Sequence, residues 1–199
     1  MQISTESIQD QIPYYLTQDA KEGLTRELNN FSNKTNYYTG LYRQDILQGD
    51  GWSCLPIINF ESGERKSIKG ILLSNSCDID PNNIRELPTK ITFAPIIRLN
   101  LYEGLLKSKI SDPKRISDKI LAIKSQRITN LFYLPKGSGL DEEYVALLDD
   151  VHTIPYNKFV GQENQIKLFT LNQVGFYLFL FKLSVHFCRF HEKIDRNSV

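Results

Sequence analysis

Apolar and polar positions fall into distinct textures along this 199-residue chain. Residues 1–40 are mixed and polar. Within them Asp19 is followed by Ala20, Leu24, Leu28 and Phe31, which predicts a short amphipathic helix with Glu22 three residues after its cap. From Gly49 onward the texture is that of strands. Residues 54–60 form one candidate. Residues 68–75, beginning Ile-Lys-Gly-Ile-Leu-Leu, form a second, apolar enough to be buried on both faces. Residues 90–97 form a third, and Pro95 places an edge or a bulge near its end. Residues 130–134 and 143–154 supply the remaining strands. Ile71, Leu72, Leu73, Phe93, Val145 and Leu147 are the expected core.

Two stretches carry helical spacing instead. Asp112 as N-cap and Pro113 at the first helical position begin a helix, with Ile116, Ile120 and Ile123 on one face. Near the C-terminus, Thr170-Leu-Asn-Gln173 has the form of a capping box. Phe176, Leu180, Leu183, Phe187 and Phe190 follow, predicting a helix over 171–193. Lys182, His186, Arg189 and Lys193 then occupy the opposite face, as a solvated stripe or a phosphate contact. The apolar stretch Val174–Phe181 is too short to span a bilayer, which takes about 20 residues. No membrane span is expected.

Composition narrows the class. Hydrophobic residues make up 41% of the chain and charged residues 24%, a globular balance. Twenty-four basic residues against 23 acidic ones give a net charge of +1, so there is no whole-molecule basic footprint for nucleic acid. Charge is unevenly placed, however. Between 105 and 127 seven bases oppose two acids, and five acids lie within 141–150. Both blocks read first as solvated faces. Three cysteines exclude a fully paired disulfide framework and suit a reducing compartment. The first residues show neither a basic n-region nor an apolar h-region, so a cytoplasmic location is expected.

Candidate chemistry gathers at the end of the second strand, in Ser74, Asn75, Ser76, Cys77 and Asp78. Cys77 is a nucleophile if a base such as His152 or His186 lies beside it. The same residues also suit a plain strand-to-loop turn, with Asn75 and Asp78 capping amides. His186 and Cys188 cannot share a metal ion, because positions two apart on a helix diverge, whereas Cys188 and His191 could, if Cys54 or Cys77 arrived from elsewhere to complete the site. No metal and no cofactor are expected. Trp52, Tyr14 and Tyr15 are either base-stacking or packing aromatics.

Two segments carry a family resemblance. Gly49-Asp50, Ser67-Ile-Lys-Gly-Ile-Leu-Leu-Ser-Asn75 and Ile91-Thr-Phe-Ala-Pro95-Ile-Ile occur in that order. Gly139-Leu-Asp-Glu-Glu-Tyr-Val-Ala-Leu-Leu-Asp-Asp-Val-His-Thr-Ile154 follows. Together they resemble the MazF/PemK family of toxin endoribonucleases over about half of the chain. The resemblance implies an α+β fold, a small SH3-like barrel with a C-terminal helix, usually a homodimer. It divides a single domain over 1–199 into an extension (1–48), the barrel and C-terminal helix (49–98 and 129–199) and a basic helical insertion (99–128).

The family cleaves RNA without metal, the RNA's own 2′-hydroxyl attacking the adjacent phosphate. Carried over, the catalytic positions are Lys69, Asp149 and His152, and the nucleic-acid-binding cations are Arg65, Lys66, Lys69 and Arg98. The chain departs from the family at each centre. Lys69 stands where the family has an arginine, and it lacks the guanidinium fork. Gly70 replaces a proline, Ile97 replaces a hydroxyl residue, and Leu147 replaces a second arginine. Two functions follow as expectations: a divergent toxin-type protein that binds single-stranded RNA, or a non-catalytic subunit that binds an antitoxin or another protein in a defence assembly. A Cys77 enzyme is a third.

Overall fold

The computed structural model describes residues 36–59, 61–83 and 85–188. The expected helix at 19–31, Tyr14, Tyr15, Arg189, His191 and Lys193 lie outside the described residues. Eight strands form one antiparallel sheet: β1 (Tyr38–Thr39), β2 (Gly51–Ile58), β3 (Arg65–Leu72), β4 (Lys90–Arg98), β5 (Leu131–Leu134), β6 (Tyr144–Leu147), β7 (His152–Pro155) and β8 (Lys167–Leu171). Five helices accompany them among the described residues: α1 (Ser76–Ile79), α2 (Leu99–Lys107), α3 (Pro113–Lys124), α4 (Tyr156–Val160) and α5 (Gln173–Phe187). The sheet order is β1-β8-β2-β3-β4-β6-β5, with β7 also on β4, and the sheet curls strongly into a half-barrel. The fold is α+β.

Side-chain alternation sorts the core onto two faces of this sheet. Ile71, Ala94, Ile96, Phe132, Tyr144 and Phe169 point inward, where Phe179 of α5 meets them. The other face carries two clusters. Leu55, Leu72, Phe93, Ile79 and Phe159 lie under α1 and α4. Leu99, Ile123, Leu131, Tyr133 and Val145 lie under α2 and α3. Of the expected core, Ile71, Leu72, Phe93 and Val145 are fully buried. Leu73 and Leu147 are only partly buried, because each sits where its strand gives way to a loop.

The strand expected over 143–154 is two strands on one edge of β4. Ile96 pairs with Ala146, yet Phe93 pairs with His152, so the partner carries extra residues around Leu148–Val151. Pro95 explains where the break falls. Leu73 donates its N–H to the Thr92 carbonyl and Leu99 donates to the Glu143 carbonyl. Even positions of β4 therefore face β3, and odd positions face β6 and β7. Pro95 has no N–H to offer on that side, and the ladder is interrupted there.

The two ends of the sheet are drawn together by the loop after β5. Tyr38 Oη donates to the Pro135 carbonyl at 2.7 Å, and Gly139 N–H donates to the Leu168 carbonyl at 2.7 Å. A Cβ on Gly139 would sit 2.6 Å from that carbonyl oxygen, so no other residue fits without moving β8.

The C-terminal helix differs from its expected form. Thr170 lies in β8, opposite Thr39, and the N-cap is Asn172, whose Oδ1 accepts from Gly175 N at 2.9 Å. The expected capping box is thus a strand end followed by an Asn cap. The buried stripe is Gly175, Leu178, Phe179, Phe181 and Lys182, while Phe187 is exposed. The run Val174–Phe181 is apolar on every side, so its spacing selects no face. No described helix is long and apolar enough to cross a membrane.

Candidate functional site

The carried-over cations do not form one surface. Lys69 shares the inward side of β3 with Ile71, at the rim where the β3–β4 ladder ends at Gly70 opposite Pro95. There Lys69 Nζ donates to Tyr144 Oη at 2.8 Å and lies 3.9 Å from Asp141 Oδ1. Tyr144 Oη donates to that same Oδ1 at 2.7 Å, and Arg98 reaches Oδ2 at 3.0 Å. The Tyr144 hydroxyl, with lesser help from Arg98 and Lys69, holds the Asp141 carboxyl below its usual range against some opposing desolvation. Four polar groups thus satisfy one another. A phosphate arriving here must compete with Asp141 for both cations.

The remaining carried-over residues lie elsewhere. His152 stacks on Phe93 with ring centroids 5.6 Å apart, on the opposite face of the sheet from Lys69, and its Nε2 is 3.0 Å from Asp150 Oδ1. Asp149 accepts from Asn130 Nδ2 at 2.8 Å, beside β5. Lys69, Asp149 and His152 are therefore not brought together. Arg65 is exposed at the start of β3, and Lys66 pairs with Glu64 at 3.2 Å.

The polar run after β3 is a built turn. Ser74 Oγ accepts from Thr92 N at 2.7 Å, and Ser76 Oγ accepts from Gln48 N at 2.9 Å. Asn75 caps α1 by accepting from Cys77 N at 2.9 Å, and Asp78 pairs with Arg85 at 2.7 Å. The Cys77 thiol is exposed, and no described histidine is hydrogen-bonded to it. Trp52 packs edge-on against Phe159 at 5.2 Å, a packing role.

The surroundings of two lysines, Lys167 partly buried and Lys182 buried, escaped sequence reasoning. Lys167 Nζ is 2.7 Å from Asp50 Oδ2, a carboxylate with no exposure at all. It also donates to the Tyr42 and Asp45 carbonyls at 2.7 and 2.9 Å, tying the loop before β2 to β8. Burial pushes the Asp50 carboxyl up, against the opposing pull of Lys167, the Leu47 amide and Thr170. Lys182 is 3% exposed, and its partners among the described residues are the carbonyls of Gln126 (2.8 Å) and Ile128. Desolvation lowers its pKa to about 7. Lys182 is therefore not on a solvated stripe as its sequence position suggested. The only available signal for the first lysine was the Gly49-Asp50 pair, with Gly49 at φ 84° turning the chain inward.

The segment 99–128 is a helical hairpin of α2 and α3, held down by acids of the 141–150 block. Lys124 Nζ meets Glu143 Oε2 at 2.8 Å, and Asn100 Nδ2 donates to Glu142 Oε2 at 3.0 Å. Desolvation raises the Glu143 pKa, but Lys124 and the Tyr133 hydroxyl pull harder and leave it below its ordinary value. Lys107 pairs with Glu103 at 2.7 Å within α2. Lys109, Lys114, Arg115, Lys119 and Arg127 form no ion pair among the described residues. Asp112 is the N-cap of α3 and accepts from Lys114 N at 2.9 Å.

The chain matches no protein-family model and no curated protein.

Proposed function

We propose that this chain is a single-stranded-RNA-binding protein on an SH3-like barrel of MazF/PemK type, and that it does not cut RNA by either of the family's catalytic sets. The observation that carries the reading is the uneven fate of its cations. Those at the barrel rim are engaged by Asp141, whereas five on the hairpin form no ion pair among the described residues. Phosphates seek the second kind, because fixed cations without a counter-charge release the nucleic acid's own counterions on binding. The non-cutting part of the reading is supported by the separate placement of Lys69, His152 and Asp149, because cleavage needs a general acid and a general base beside one phosphate.

The test uses a labelled single-stranded RNA titrated by fluorescence anisotropy at several salt concentrations. A triple substitution, Lys114→Ala, Arg115→Ala and Lys119→Ala, should flatten the dependence of log K on log[salt] by about two units, at about 0.7 per phosphate contact. The RNA should come out of the incubation intact. Binding that is absent, or equally steep in the triple variant, sinks the proposal.

A second reading, a non-catalytic protein-interaction subunit, is favoured by a different observation. Leu101, Leu105 and Leu121 are large apolar side chains left exposed on the same hairpin. Stoichiometric co-purification of a partner protein, with no RNA affinity, would give it precedence.

A further inference from the structure

Strand β5 ends the sheet, and its outer edge has no strand beside it among the described residues. Odd positions face that edge. The Asn130 carbonyl accepts from the Leu148 N–H on the β6 side, so Leu131 and Tyr133 turn their backbone groups the other way. Charge or proline commonly blunts an open edge, and Leu131-Phe-Tyr-Leu134 contains neither. A single side chain covers it instead. Gln126 Nε2 donates to the Tyr133 carbonyl at 2.8 Å, and Gln126 Oε1 accepts from Tyr133 N at 3.2 Å. One amide thus supplies the donor and the acceptor that a further strand would bring.

Gln126 is held in this position against its backbone preference. Helix α3 ends in a Schellman turn: Gln126 N–H donates to the Ile123 carbonyl and Arg127 N–H to the Ala122 carbonyl, each at 2.8 Å. The turn puts Gln126 in the left-handed region, at φ 57°, where glycine is the usual residue and a longer side chain is strained. A glycine would suit the turn and leave Tyr133 without partners. The Gln126 carbonyl is engaged as well, by Lys182 Nζ at 2.8 Å, so α5 grips the residue whose side chain covers β5. Gln126 itself is 8% exposed, which leaves little room for water to take over these bonds.

We propose that Gln126 is a strand surrogate that guards the β5 edge, and that without its amide β5 pairs with the β5 of a second copy of this chain. A second copy fits because an antiparallel pair centred on Tyr133 is self-complementary. Each Tyr133 offers one N–H and one C=O, the same two groups that the Gln126 amide now offers. The guard asks nothing of the hairpin cations assigned to RNA, and either reading can fail alone.

The test compares the full chain with two variants. Gln126→Gly suits the left-handed turn and deletes the amide. Gln126→Asn also tolerates that turn, and its amide is one methylene too short to reach Tyr133 as the parent does. Folding is checked by circular dichroism, and the asparagine variant decides should the glycine variant fail to fold. Amide hydrogen exchange is read by NMR at Tyr133, with Ile71 and Leu72 of β3 as controls. In dilute solution Tyr133 should exchange at least about tenfold faster in the variants, while the β3 amides keep the parent's rates. Sedimentation velocity up to about 1 mM should then show a larger species that the parent does not form. In that species Tyr133 should be protected again, because the second copy supplies the missing partners. The proposal is overturned if Tyr133 stays as protected in the variants as in the parent. It is equally overturned if the variants sediment as the parent does, or if the larger species leaves Tyr133 exchanging fast, since association would then use another face.

Discussion

Lys167, its side chain 11% exposed, and Lys182, 3% exposed, are both drawn in from solvent, and they are held in opposite ways. Lys167 reaches a carboxylate and two carbonyls, and its Nζ lies over the Trp52 ring, 5.8 Å from the centroid. Lys182 reaches two carbonyls and, among the described residues, no acid. The first is an ion pair that must be kept whole, because each charge is costly to bury without the other. The second is a buried amine whose proton is itself in question near neutral pH. A lysine in the interior is thus a fixed strut in one place and a titrating group in the other, and the difference lies in a single carboxylate.

Removing one half of the strut should have the largest effect. Lys167→Met leaves Asp50 charged and fully buried, and we expect a loss of about 3–5 kcal/mol in urea unfolding. Adding Asp50→Asn to the same chain should recover a large part of that loss, since the stranded charge is gone. A Lys167→Met protein as stable as the parent would mean that Asp50 is neutral or hydrated and that the pair is no strut.

The titrating lysine should show itself as a pH dependence. Its folded pKa, about 7, lies below the 10.5 of the unfolded chain. Between those values the unfolded state binds more protons, so stability rises with pH across the window and is lowest below pH 7. We expect an increase on the order of 2 kcal/mol between pH 7 and 9 from this group. Lys182→Met should abolish that rise while leaving the Gln126 carbonyl without its partner, the Ile128 carbonyl keeping the Leu131 N–H. Parallel curves for parent and variant would show that Lys182 keeps its proton in the fold.

Most of the sheet was legible because alternation and apolar runs report burial directly. The strands at 54–60, 68–75, 90–97 and 130–134 have counterparts in β2, β3, β4 and β5 within a few residues. Asp112 and Pro113 begin α3 as the sequence indicated. What escaped was whatever depends on a distant partner. β8 is a short apolar run fused to an apolar helix, and only its pairing with β1 and β2 separates the two. Lys182 reads as a polar face until the α3–β5 loop supplies its carbonyls. Tyr144 and Asp141 read as strand and solvated acid until Lys69 and Arg98 arrive from β3 and β4. The carried-over set of Lys69, Asp149 and His152 scattered because register decides which face a strand residue occupies, and motif spacing does not report register.

Half-exposed pairs should fall between the buried lysines and the surface. Glu143→Gln weakens the tie from Lys124 to the β6 end but retains an acceptor for the Tyr133 hydroxyl. With the Glu143 side chain 39% exposed, solvent screens the pair, and we expect about 0.5–1 kcal/mol. The depressed Glu143 pKa means this stability is present above the ordinary glutamate range and is lost as pH falls through the folded value. Hydrogen exchange should quicken in α3 and stay unchanged in β3. Equal quickening in both would mean that the hairpin and sheet open as one unit.

The smallest effect on stability is expected at the rim, where Lys69, Arg98 and Asp141 meet in solvent. Their mutual contacts are well formed, but water can replace each of them, so Lys69→Ala with Arg98→Ala should leave the unfolding midpoint essentially in place. The same double variant separates the two kinds of exposed cation. Because Asp141 already engages both side chains, their loss should change the salt slope of RNA binding by less than one unit, against about two for Lys114, Arg115 and Lys119 together. Should the rim variant flatten the slope by as much as the hairpin variant, Asp141 does not neutralise the rim, and phosphates enter at the strand ends beside Tyr144. Asp141→Asn provides the converse: with its carboxylate gone, the rim cations are freed, and RNA affinity at low salt should rise.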